Sequence, residues 1–356
     1  MPSAFGLEVA LPTVIPSTRH EAPLPGSVPL SRGQHLLARA LPTVWEQMRE
    51  VSLARVLAVV RNSPAQTVLT HESAALLHGA WMVAREPDVH ATCSASGSNR
   101  PLMLPRVTYV DGRVRPGSAR GGRPGRQARV RRHRMRVESG QVVVAHGLRV
   151  TSIPRTIADC LLDLDGLAAF VVGDSLMRVA VRPDRFAPER DPAGLRALRT
   201  EVRAILERCG RRRRKRRALR MLELLSPFAE SPGESRLRYL LLREGVPVPV
   251  VQAAFVVEGR TYFTDFGWPA LRLGEEYDGE GKYAAPGAIS GERQRERDAA
   301  DAGRVLVRAA SAQLCDPRAL LADLLRALPD DAAFPLAPPL AGVSRVAPDP
   351  RRSPQR

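Results

Sequence analysis

RTYFTDFGWPALRLGEEYD, residues Arg260 to Asp278, decides how the chain folds in its C-terminal third. The turn residues Glu258-Gly259-Arg260 lead into Tyr262 to Trp268, a run dense in aromatic side chains, as a strand requires. A second turn at Pro269-Ala270 leads into another strand, Leu271 to Asp278. Strict two-residue alternation puts Asp265 on one face with Phe263, and Tyr262, Thr264 and Phe266 on the other. An acid inside so apolar a strand is expensive without a partner. In the next strand Glu276 and Asp278 lie two apart and project from one face.

Upstream, Ser231-Pro232-Gly233-Glu234 opens a helix whose apolar positions Leu237, Leu240, Leu241 and Val246 face a core, and strand material follows from Val248 to Val257. Helix, strand, hairpin and strand then deliver Glu234, Asp265, Glu276 and Asp278 toward one end of a sheet. Clustered carboxylates repel unless a cation neutralises them, and hard oxygen ligands of this kind suit Mg²⁺ (or Mn²⁺). Such an ion would orient a water and stabilise charge built up as a phosphodiester is cleaved. Each acid also has a structural role open to it. Ser231-x-x-Glu234 is a capping box, and Glu275, Glu276, Asp278 and Glu280 can form a charged turn.

The order Glu on a first helix, Asp on a second strand and Glu-x-Asp on a third resembles the PD-(D/E)XK nuclease superfamily. More closely, Ser231 to Leu314 resembles the domain related to very-short-patch-repair endonucleases, through Ser-Pro-Gly-Glu-Ser-Arg-Leu, Thr-Asp-Phe-Gly-Trp-Pro, Glu-Tyr-Asp-Gly-Glu-Gly-Lys-Tyr and the helix from Glu292 to Gly303. The resemblance implies an α/β domain, a mixed sheet flanked by helices, with Asp265, Glu276 and Asp278 as metal ligands and Glu234 contributing to catalysis. Asp278 stands where the superfamily usually has lysine, so Lys282 is the candidate transition-state cation. It is one of two lysines, with Lys215, in a chain that otherwise uses arginine.

The remainder is the basic part. The chain has 356 residues and a formal charge of +17. Phe228 to Leu328 carries 13 basic against 15 acidic side chains, leaving about +19 elsewhere. Some of that arginine reflects coding bias in a GC-rich genome. From Ser31 to Ala65 apolar residues recur at three and four, interrupted by Pro42, so two helices are expected. Thr70 to Gly79 reads as a short capped helix. On it His71 and His78 share a face, as buried or capping residues rather than ligands. Val107 to Tyr109 and Gln141 to Ser152 have β composition, and Arg113 to Arg136 between them reads as a loop with ten arginines. Helices are expected at Ser152 to Leu164, Leu167 to Val181 and Gly194 to Cys209, with another ending near Leu225.

Two stretches are candidates for phosphate contacts: Arg129, Arg131 and Arg132 in the loop, and Arg211, Arg212, Arg213, Arg214, Lys215, Arg216 and Arg217. Nine basic residues and no acid from Arg208 to Arg220 repel one another unless a polyanion intervenes, and DNA is the expected one. With aromatic residues at 4%, duplex backbone contacts are favoured over stacking on single strands. Thr-His-Glu-Ser-Ala-Ala-Leu-Leu-His-Gly at 70 to 79 and Gly-Leu-Arg-Val-Thr-Ser-Ile-Pro-Arg-Thr-Ile-Ala-Asp at 147 to 159 resemble actinobacterial proteins grouped with type IV abortive-infection antitoxins. That resemblance implies DNA binding and a cognate toxin as partner.

The expected domains are therefore a disordered tail (1–30), a mainly helical α+β basic region (31–225), the nuclease-like domain (228–328) and a second tail (329–356), proline-rich from Pro335. Cys93, Cys160, Cys209 and Cys315 are scattered, which argues against structural zinc on cysteine and for a reducing cytoplasm. No run of apolar residues is long enough to span a membrane. The functional expectation is a DNA-binding protein with a metal-dependent endonuclease-like domain; the alternative is a non-catalytic DNA-binding regulator of antitoxin type.

Overall fold

The computed structural model describes residues 9–16, 27–31, 33–93, 100–107, 127–188, 190–210, 212–279, 297–328, 334 and 336. The chain is α/β, with helices flanking mixed sheets, and divides into two compact units, Met1–Cys160 and Leu161–Arg356.

The first unit opens with β1 (Val14–Pro16), β2 (Ser27–Ser31) and β3 (Gln34–Leu37), an antiparallel sheet in the order β1-β3-β2. Its strands occupy part of the segment expected to be a disordered tail, and β3 replaces the first of the two expected helices. The cause is burial: Val14, Val28, Leu30 and Leu36 alternate inward and form a core with α1 (Val44–Arg61). Pro42 marks the entry to α1 instead of a break between helices. Thr43 caps it, its hydroxyl accepting from the Glu46 amide at 3.2 Å.

α1 is buried on two sides, which is why its apolar residues do not form one stripe. Met48, Val51, Ala54 and Ala58 meet the first sheet; Leu53, Val56 and Val59 meet a second core beneath α2 (His71–Leu77). That second core is covered by β4 (Val89–Thr92), β5 (Leu102–Met103) and β6 (Arg129–His133), in the order β4-β6-β5, and by the hairpin of β7 (Val142–Ala145) and β8 (Leu148–Thr151). Leu69 bridges Ala91 and Val150 and so links β4 to β8. Arg129, Arg131 and Arg132 thus lie on a central strand, not in a loop; Val130 is their core-facing neighbour. Val107 is buried without strand pairing, and Tyr109 falls outside the described residues. Helix α3 (Ile153–Asp163) follows the hairpin.

The second unit packs α4 (Gly166–Val181), α5 (Pro192–Glu207), α6 (Arg212–Leu224) and α7 (Pro232–Glu244) with a four-stranded mixed sheet. The sheet order is β12-β11-β10-β9, where β9 is Val250–Val257, β10 Arg260–Trp268, β11 Leu273–Asp278 and β12 Val305–Ala310. β9, β10 and β11 are antiparallel; β12 runs parallel to β11 after residues 297–301, which are helical. Helix α8 (Pro317–Arg326) packs on α7.

The compact units therefore divide inside α3, not at 225–228 as the composition shift suggested. The arginine run is helix, and its neighbours are tied to the sheet's own helix. Arg238 of α7 donates to both carboxylate oxygens of Asp174 on α4 (2.7 and 2.6 Å), a buried pair, and to the Leu224 carbonyl (2.6 Å). Beyond α8, in the expected second tail, Phe334 is buried against Trp268, ring centroids 5.2 Å apart.

Candidate functional site

The face of the sheet that carries α7 collects three acids. Glu234 arrives first because Ser231 caps α7, its hydroxyl accepting from the Glu234 amide at 3.1 Å. The Glu234 side chain turns back and accepts from the Glu230 amide at 2.7 Å, so the carboxylate is part of the helix start and also faces inward, 7% exposed.

Asp265 reaches the same face through a break in strand alternation. A Cβ built on Gly267 would stand 3.5 Å from Thr264 Oγ1, and one on Gly274, paired with Gly267, would stand 2.8 Å from Thr264 Cγ2. Thr264 and Gly267, three apart, therefore share a face, which regular pleating forbids. The irregularity falls at Asp265 and Phe266, and both turn away from Thr264. Opposite Asp265 in the β9 register stands Gln252, between the pairs Thr264↔Ala253 and Phe266↔Val251. Gln252 has φ of 52°, a left-handed conformation costing of order 1–3 kcal/mol for a side-chain-bearing residue. Its side chain, almost buried, donates to Glu234 at 3.4 Å and accepts from Arg185 at 3.3 Å.

Glu275 is the third acid. It pairs with Phe266 and lies on the face of Tyr277, whose ring occupies the place a Cβ on Gly233 of α7 would need. Glu275 is fully buried, and neither carboxylate oxygen has a hydrogen-bond partner among the described residues. Asp265 is held between strands by the Tyr277 amide, which donates to it at 2.7 Å. Burial and the negative charge of Asp265 push the carboxyl of Glu275 up to about 8. The same two causes push Glu234 up to about 8, against hydrogen bonds from the Glu230 amide and Ser231.

Glu276 and Asp278 alternate with Glu275 and Tyr277 and occupy the opposite face. There Arg308, paired with Glu276 in the β11–β12 register, approaches Glu276 at 3.9 Å and Asp278 at 3.4 Å. The structure thus sets Asp265 within electrostatic reach of Glu234 and Glu275, without bringing all three carboxylates to the spacing of one ion's ligands, and sets Glu276 and Asp278 around an arginine. The sequence places Glu275 only in a charged turn, because two-residue alternation puts it on the face opposite Glu276 and Asp278. Gln252 was passed over as an ordinary strand residue. Only the apolar residues around the paired acids hinted at either. Lys282 lies outside the described residues.

The basic candidates separate similarly. Arg211 and the side chains of Arg212 and Arg213 lie outside the described residues. Arg217 donates to the Leu161 and Leu164 carbonyls at 2.8 and 2.7 Å and closes the end of α3. Arg214 pairs with Asp163, and Lys215 donates to the Glu207 carbonyl at 3.0 Å, while Arg216 is exposed. On β6, Arg131 pairs with Asp88, which also accepts from the Arg129 amide at 3.0 Å; Arg132 is half-buried. Nε2 of the half-buried His78 donates to the Thr151 carbonyl at 2.8 Å, and burial lowers its pKa.

No family model matches the chain. Two curated relatives from Mycobacterium tuberculosis, both described as uncharacterized, are each 32% identical over 108 residues: MT2308 of strain CDC 1551 / Oshkosh and Rv2248 of strain ATCC 25618 / H37Rv. The match covers 29% of this chain and 40% of each relative, so the chain spans less than half the length of either. Among solved structures, JHP933 from Helicobacter pylori aligns with 52% of this chain and 93% of its own, at 14% identity and a TM-score of 0.27. No helix among the described residues is long and apolar enough to cross a membrane.

Proposed function

We propose that the second unit is a metal-dependent phosphodiesterase acting on DNA, in which Mg²⁺ (or Mn²⁺) would draw Glu234, Asp265 and Glu275 together around it. The carrying observation is that acids from a helix and two strands lie within electrostatic reach of one another on one face, where burial and the charge of Asp265 push two of them up to about 8. The fully buried oxygens of Glu275, with no hydrogen-bond donor among the described residues, fit a cation. An all-oxygen donor set matches a hard divalent ion. Once bound, such an ion supplies Lewis-acid polarisation of a phosphoryl oxygen and a more acidic water.

The chain's own residues do the rest. Gln252 fixes the orientation of Glu234, and the Tyr277 amide fixes Asp265. Arg185, partly exposed and hydrogen-bonded to Gln252 and Glu230, is positioned to meet a phosphate beside the acids. Exposed basic side chains of α6 such as Arg216 add backbone contacts to the duplex. The four cysteines are free, which agrees with a cytoplasmic protein.

The test is cleavage of single-stranded, duplex and mismatched DNA and of RNA with Mg²⁺ or Mn²⁺. Activity lost in Asp265→Asn with DNA binding retained supports the enzyme. Binding without cleavage in the unmodified protein supports instead a non-catalytic regulator of antitoxin type, for which a cognate toxin is the expected partner.

A further inference from the structure

Three histidines from separate stretches of the first unit converge. His71 opens α2, His90 lies on β4 and His133 ends β6. β4 and β6 are parallel, with His90↔Arg131 and Thr92↔His133, so His90 and His133 project from the same face two positions out of step. The ring centroids are 4.2 Å apart for His71 and His133, 4.9 Å for His71 and His90, and 5.1 Å for His90 and His133. One ring nitrogen from each falls within 4.8 Å of the other two. His71 and His90 are buried, while His133 is half-buried and leaves one side of the cluster open.

Two further features match what a metal requires. Nδ1 of His90 is 2.9 Å from Nε2 of His133, and around a tetrahedral zinc with Zn–N of about 2.0–2.1 Å two nitrogens stand about 3.3 Å apart. A small outward shift therefore admits the ion. The outer atoms are also arranged: the Glu72 carboxylate is 3.5 Å from Nε2 of His90, and the Thr70 hydroxyl is 2.9 Å from Nδ1 of His71. A carboxylate or hydroxyl on the far nitrogen is the usual means of fixing the tautomer and aim of a metal-binding imidazole. Here the Thr70 hydroxyl leaves Nε2 of His71 facing inward, and the charge of the nearby Glu72 carboxylate, short of a hydrogen bond, favours a proton on Nε2 of His90 and leaves Nδ1 for the cluster. His71 holds this pose at φ of 47°, where few residues other than glycine are found.

We propose that His71, His90 and His133 form a site for a divalent transition cation of the zinc class, with a fourth position open to water on the His133 side. Imidazole donors select such a cation over Mg²⁺, so this site is chemically separate from the carboxylates of the second unit. Bound there, the cation would tie the start of α2 to β4 and β6.

The experiment uses the full chain, freed of metal by a chelator and titrated with Co²⁺ as a spectroscopic probe. The expected result is one equivalent bound, with the visible d–d bands of four- or five-coordinate Co²⁺, displaced by Zn²⁺. His71→Ala and His133→Ala should each abolish the bands, and Glu72→Gln should keep them with affinity about 10–100-fold weaker. His146→Ala, at an exposed turn, and Asp265→Asn should change nothing. The wild-type titration stands without any variant having to fold. No Co²⁺ bands in wild type, bands that survive both histidine variants, or bands lost with Asp265→Asn would each overturn the proposal and leave a hydrogen-bonded histidine stack.

Discussion

Asp265 accepts a hydrogen bond from the Tyr277 amide at 2.7 Å, so the acid in the middle of β10 is anchored to the last turn of pleat in β11. That anchor sits where ordinary ladder pairing stops, since the recorded β10–β11 pairs end at Phe266↔Glu275. It holds Asp265 on the face of Glu275 and α7, and the consequences of that placement can be measured.

Glu275 and Glu276 are adjacent in sequence and should behave oppositely. Glu275→Gln keeps the side chain's size, removes a metal-binding charge and should eliminate Mg²⁺-dependent cleavage while leaving DNA binding intact. Glu276→Gln weakens contact with Arg308 on the opposite face and should retain activity within about tenfold, a loss of about 1.4 kcal/mol in transition-state stabilisation. Steady-state cleavage rates for the two variants decide the matter; a dead Glu276→Gln beside an active Glu275→Gln would reverse the assignment.

The raised carboxyls imply a definite pH dependence. In the native protein Glu275 keeps its proton up to about 8, whereas the ordinary carboxyl value of 4.5 applies when unfolded. Between those values the unfolded chain binds fewer protons than the native one, so metal-free stability should fall as pH rises from about 4.5 to 8. Mg²⁺ must displace the protons of Glu234 and Glu275, so its affinity should rise over the upper part of that window. Calorimetry at pH 7 in buffers of different ionisation enthalpy should report proton release on binding. Glu275→Gln should flatten the stability profile.

Arg238 tests how the helices are held to the sheet unit. Arg238→Met leaves Asp174 buried without its cation and should cost about 3–5 kcal/mol in denaturant unfolding. The double variant Arg238→Met with Asp174→Leu should recover much of that loss, because both charges are then gone. Equal destabilisation in the single and double variants would show that the guanidinium's bond to the Leu224 carbonyl, not the ion pair, carries the anchor.

Neighbouring arginines of α6 should divide between stability and binding. Arg217→Ala uncaps α3 and should lower the melting temperature. Arg216→Ala should leave folding alone and reduce the slope of log affinity against log salt by about 0.9 if it contacts one phosphate of duplex DNA. Fluorescence anisotropy across a salt series reads the slope, and an unchanged slope would mean Arg216 is simply solvated.

Much of this was legible in the sequence because the information was local. Apolar periodicity and caps located α3 to α7, Ser231 and Pro232 placed the start of α7, and the aromatic run from Tyr262 placed β10. The α/β class with helices flanking sheets follows from those elements. What the sequence could not decide were relationships made by contacts between distant residues. Val14 and Leu36 become strand partners only because α1 covers them. The arginine run reads as a basic stretch entering a helix, and only the fold shows that Arg217 of that helix and Arg199 of α5 bind carbonyls of neighbouring segments. A single irregularity at Asp265 exchanges Glu276 for Glu275, since a one-residue slip in a pleated strand moves a side chain to the other face. The three histidines, 19 and 43 residues apart along the chain, meet only when β4 and β6 pair beside α2. In the second unit sequence determined which segments are helix and strand and that acids would gather in the sheet; tertiary structure decided the strands of the first unit and which acids face one another, because both depend on register and burial, not on spacing along the chain.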